Sequence, residues 1–132
     1  MMRKELFEAI KSRMENMEGV KHIDLWNHNV EFLEEEVPWE MPAVFVEFGT
    51  ITWQSLTGEH LRGTGVVRIH LVTEWTSGGY ESAFDLCGVI CKAISGLSGE
   101  GFDHLSLQST DTNHNHEEIL ESIDTYSVKY IE

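Results

Sequence analysis

Within residues 42–75 the chain carries two long apolar runs whose side chains sort onto two faces with a period of two. In the first, Val44, Val46 and Phe48 fall on one face, and Ala43, Phe45 and Glu47 on the other. In the second, Val67, Ile69, Leu71 and Thr73 share a face, opposite Val66, Arg68, His70 and Val72. A period of two in Val-, Ile- and Phe-rich sequence predicts β-strands, because successive side chains of a pleated backbone point to opposite sides. Thr57-Gly58 and Gly63-Thr64-Gly65 lie between the runs and supply the positive-φ residues that a reversal needs. The expectation is a long β-hairpin at the centre of a sheet, with His70 and Arg68 on a partly exposed strand face.

The flanking pattern is helical. Leu6, Phe7, Ile10, Met14 and Met17 recur at spacings of three and four, predicting a helix over residues 3–18 stopped by Gly19. Ala83, Phe84, Leu86, Cys87, Ile90, Cys91, Ile94 and Leu97 make a broad apolar stripe over residues 81–97, wide enough for a helix laid on a sheet. Shorter alternating runs predict strands at 20–27, 102–110 and 123–131, the last with Tyr126, Val128 and Tyr130 on one face. Pro38 and Pro42 exclude both a helix and a central strand from the segment between them. The predicted order is helix, strand, hairpin, helix, two strands. It reads as a single α+β domain over residues 1–132, with a mostly antiparallel sheet centred on the hairpin and two helices packed on it.

Composition narrows the function. Nine basic residues stand against 23 acidic ones, a net charge of −14. Such a surface repels phosphate backbones and anionic lipid, so unspecific nucleic-acid binding on the outer surface and membrane association are disfavoured. No apolar run approaches membrane-spanning length. The residues from Met1 to Leu6 lead into an amphipathic pattern instead of a signal-peptide h-region, so a cytoplasmic location is expected. Cys87 and Cys91, four apart on one predicted helix, are a poor disulfide pair and read as small buried hydrophobes.

Candidate chemistry is sparse. Residues 111–118, Asp-Thr-Asn-His-Asn-His-Glu-Glu, begin like a calcium loop, but His116 stands where the sharp turn needs Gly, and Ser122 where the bidentate Glu belongs. His114 and His116, two apart, would project to one side of a strand as metal ligands, with Glu117 beside them, yet two imidazoles do not complete a site. The simpler reading is a polar hairpin loop, and no metal or other cofactor is assigned. Nucleophile elbow, phosphate loop and dinucleotide fingerprint are all missing from the sequence, so no catalytic residue is assigned and the expectation is not an enzyme. Tryptophans at strand ends and in the Pro-bounded segment suit an interface instead. Trp39, Trp53 and Trp75, with Leu56 and Leu61 near the hairpin tip, are the candidate contact residues. The outer half of the hairpin, residues 50–65, runs past what the second helix covers, and a projecting arm needs a partner.

The order of elements also resembles a known family. It is carried by the Glu5-Leu6-Phe7-Glu8-Ala9-Ile10-Lys11 helix, Pro42-Ala43-Val44-Phe45-Val46, the run from Gly65 to Val72, and Asp124-Thr125-Tyr126-Ser127-Val128-Lys129-Tyr130. Together these are similar to the small tail-terminator and tail-completion proteins of long-tailed bacteriophages and prophages. The resemblance implies a non-enzymatic α+β subunit that forms a homo-oligomeric ring, often a hexamer, between tail-tube and head-connector proteins. It implies a virion component with no sequence-specific nucleic-acid contact. Two other classes compete: a small-molecule or metal-binding domain using the His114/His116 loop, and an adaptor or inhibitor presenting an acidic surface to a basic partner.

Overall fold

The alternation and the helical stripes resolve into seven elements. A computed structural model describes residues 2–26, 40–74, 79–116 and 119–131. Along the chain they are α1 (Met2–Met14), β1 (His22–Leu25), β2 (Ala43–Ser55), β3 (Leu61–Glu74), α2 (Gly79–Ile94), β4 (Phe102–His116) and β5 (Ile119–Ile131). The strands form one sheet in the order β1-β2-β3-β5-β4. The β1–β2 pair is parallel and the other three pairs are antiparallel. This is the α+β arrangement expected from the patterning.

Several boundaries differ from expectation for local reasons. Helix α1 ends at Met14 rather than 18, because the Met17 N–H turns back to the Met14 carbonyl and Gly19 takes φ 98°. Helix α2 ends at Ile94 rather than 97. There Gly96, at φ 78°, donates its N–H to the Leu105 carbonyl of β4 and leaves the helical path. The hairpin turn is confined to residues 56–60, closed by Leu56 N–H to His60 carbonyl, with Gly58 at φ 81°. Gly63 and Gly65 lie inside β3 and are not part of the turn. The polar residues 111–116 continue β4 and do not form a hairpin loop, and β5 begins at Ile119, four residues earlier than the apolar alternation suggested. Ladder pairing to β5 sustains this polar stretch as strand, with Thr110 opposite Asp124 and Asn113 opposite Glu121.

Helices α1 and α2 supply one side of the main core. Leu6, Ile10 and Met14 of α1, and Ile90 and Ile94 of α2, cluster with Val44, Val46, Val67, Ile69, Leu71, Tyr126 and Val128 of the sheet. A Glu5 carboxylate oxygen accepts the backbone N–H groups of Glu100 and Gly101 at 2.7 and 3.2 Å, fastening α1 to the turn before β4. Ile90 is buried at the centre of this layer. Ile90→Ala is therefore expected to cost about 2–5 kcal/mol in urea unfolding, and a loss well under about 1 kcal/mol would mean that the helix faces the sheet differently. A smaller cluster of Ala43, Phe45, Val72 and Ile119, with Trp26 and Met41 against it, occupies the opposite sheet face.

Tyr126 and Tyr130 are fully buried, and their hydroxyls find no hydrogen-bond partner among the described residues. Burial pushes the Tyr130 phenol up to about 12, against an ordinary value of 10.0, and pushes Tyr126 up further, with Cys91 and Asp124 adding to it. The folded protein thus holds both protons more tightly than the unfolded chain. Their contribution to stability is complete below about pH 10 and is lost as pH rises through the folded values. Denaturation midpoints are expected to fall steeply between about pH 10 and 12, and less so in Tyr130→Phe. An equal fall in the variant would remove Tyr130 as a cause.

Candidate assembly interface

The sheet face opposite the helices is organised by one buried ion cluster. His70 of β3 is 4% exposed, which corrects the expectation of partial exposure. Its Nε2 lies 2.8 Å from Glu47 Oε1 on β2, and its Nδ1 lies 2.8 Å from Glu121 Oε2 on β5. Glu121 is itself buried, and its other oxygen accepts from Asn113 Nδ2 of β4 at 3.5 Å. Arg68 flanks Glu47 at 4.0 Å. The Trp26 ring stacks on the imidazole at 3.9 Å between centroids and 5° between planes, and meets Phe45 edge-on. Both contacts are hydrogen bonds only if the trio holds one proton more than a neutral ring and two carboxylates, since a carboxylate only accepts. With both nitrogens committed and one ring face covered, the imidazole is a clamp across β2, β3 and β5, with no nitrogen left for a bound molecule.

The candidate contact residues are distributed unevenly around this frame. Trp39 and Trp75 lie outside the described residues. His114 and His116 belong to β4, and Glu117 lies outside the described residues. Leu56 and Leu61 are half-buried at the hairpin tip. Trp53 is 38% exposed on β2 and lies over Gly63, where a Cβ would come within 2.7 Å of the indole. Its ring tilts against Tyr130 at 6.2 Å. Gly63 therefore serves as the floor for an aromatic ring, a role that a reading of glycines as turn residues missed.

The arm projects less than expected, because β5 backs β3 as far as the Arg62–Ile131 pair. Among the described residues, one edge stays open. Strand β1 covers β2 only over Ala43–Val46, and among the described residues no strand lies beside the rest of β2. Thr52, Trp53, Gln54 and Ser55 are all exposed. The opposite edge of the sheet, β4, is different. Its ladder is broken at three places and its outer half is polar. Bulges and polar residues are the usual guards of an edge. Between Phe48 and Val67 there is one acid, Glu59, and one permanent base, Arg62, so all of the −14 charge resides elsewhere.

A cleft of about 610 Å³ opens between the end of α1, the start of β2 and the outer side of α2, lined by Glu18, Met41, Glu74, Asp85, Leu86 and Val89. Among the described residues, no group of three or more His, Cys, Asp or Glu side chains is disposed to hold a metal ion, and no helix is long and apolar enough to cross a membrane.

No protein-family model matches the chain, and no curated protein matches it. Among solved structures, it is similar to a chain of the virion of a native gene transfer agent particle. That match has a TM-score of 0.64 at 12% identity and covers 96% of this chain and 95% of the other. A second solved structure, named only by a sequence label, matches with a TM-score of 0.52 at 13% identity, over 98% of this chain and 89% of the other. At such identities the likeness is one of fold: a helix-flanked, mostly antiparallel five-stranded sheet spanning nearly the whole chain.

Proposed function

We propose that this protein is a non-enzymatic structural subunit of a phage or phage-like particle, and within that class a tail-terminator or head–tail joining protein that works as a homo-oligomeric ring. The observation that carries the reading is the near end-to-end match to a chain of a gene transfer agent virion. The order of elements and the exposed Trp53 on the hairpin arm point the same way. In this role the partners are further copies of the chain, tail-tube protein and head connector, and the location is the assembled particle.

A ring of identical acidic subunits opposes its own long-range repulsion. Salt shortens the Debye length from about 30 Å at 0.01 M to about 8 Å at 0.15 M, while apolar contact is not weakened in that range. Light scattering coupled to size exclusion is expected to show small species at low salt and a ring as salt rises. A protein that stays monomeric throughout, and that also fails to join purified tail tubes, would defeat the proposal.

A further inference from the structure

We infer that the edge of β2 left open among the described residues is a strand-addition site whose occupant is a second copy of this chain; the inference rests on the self-association proposed above and names one of its contacts. Backbone geometry fixes which groups are available. The Trp26 N–H donates to the Val46 carbonyl, so the polar groups of Val46 point away from β3. Alternation along β2 then passes through a one-residue irregularity between Phe48 and Ile51. Beyond it, Thr52 and Gln54 face Thr64 and Arg62 of β3, and the N–H and C=O groups of Ile51, Trp53 and Ser55 point to the open side. A row of unmet donors and acceptors on an exposed strand is a template for another strand.

Charge selects the occupant. Two chains of net charge −14 meet with least repulsion where neither carries net charge, and residues 48–67 are that region. An edge meant to stay bare would carry repeated bulges and a polar outer half as β4 does, whereas β2 has a single irregularity, before Ile51. Here Thr50 to Ser55 is rich in β-branched and aromatic residues, with no charge and no proline.

The test reads backbone amides directly. Hydrogen exchange of the wild-type protein is measured at low concentration and salt, and again where light scattering shows association. The amides of Ile51, Trp53 and Ser55 are expected to slow on association, while Thr52 and Gln54 are slow in both states. Ser55→Pro supplies the second arm. Its ring removes only an outward-pointing donor, which an edge strand tolerates, so the melting temperature should hold. Self-association should weaken by about tenfold or more, because both the bond and the approach of a neighbouring strand are lost. A mass that stops at twice the monomer with those three amides protected upholds the edge and overturns the ring. A ring whose three amides exchange freely upholds the ring and overturns the edge. Unchanged association in a well-folded Ser55→Pro protein overturns the edge as well.

Discussion

His70→Ala is expected to remove about 3–5 kcal/mol of stability, among the largest losses available to a single substitution in this chain. The reason is what it leaves behind. Glu121 is 2% exposed and Glu47 is one-third exposed, so truncating the imidazole takes from a buried carboxylate the partner that lies 2.8 Å from its Oε2, while Asn113 still faces its Oε1. Most of the loss comes from Glu121, since Glu47 keeps some water and Arg68 nearby. Replacing His70, Glu47 and Glu121 together with Leu or Met should restore much of the stability, because a buried ion cluster is often no better than apolar groups of the same volume. Equilibrium urea unfolding of the single and triple variants decides the matter. A loss below about 1 kcal/mol for His70→Ala would mean that water reaches the cluster and relieves the charge.

Trp53→Ala is expected to weaken self-association by at least about 2 kcal/mol, roughly thirtyfold in the concentration at which larger species appear. Aromatic anchors near the centre of an interface carry a disproportionate share of its energy. Stability of the isolated subunit should change less, because the indole is 38% exposed and rests on Gly63 and the ring of Tyr130 at the margin of the core. Sedimentation or light scattering across a salt series measures the first effect, and thermal unfolding at low salt measures the second. If unfolding shifted strongly while association held, Trp53 would be a core residue of the arm and no contact.

The fold was largely legible because its two periodicities are clean. Val44, Val46 and Phe48, and Val67, Ile69 and Leu71, recur at a period of two in β-branched and aromatic runs, and Ala83, Ile90 and Ile94 recur at helical spacing, so the strands and the helix face announce themselves. The end of β4 was not legible, because Asp111, Asn113 and Asn115 are turn formers by local preference and are held in a strand only by pairing with β5. The clamp was hidden for a related reason. Glu47, His70 and Glu121 lie 23 and 51 residues apart, and each looks like an ordinary outward residue of its own strand. Only the register that sets β2 and β5 on either side of β3 brings them together. Trp53 stands out in the sequence as an interface candidate, but its seat on Gly63 depends on the same cross-strand pairing and could not be read there.

The strand order also governs how the molecule comes into being. β5, the last strand in the chain, occupies an inner place between β3 and β4. Until it arrives, β4 has no neighbour to pair with, the imidazole of His70 has one carboxylate instead of two, and Tyr126 and Tyr130 are missing from the core. On a ribosome that delivers residues in sequence, the earlier helices and the central hairpin emerge without the piece that joins them. Final closure then waits for the C-terminal strand to slot between two partners, a long-range step of the kind that slows folding. Any nascent chain cut short before residue 119 would expose a raw strand edge on β3 in addition to that on β2, and its fate would be clearance or clumping, never a subunit ready to join its neighbours.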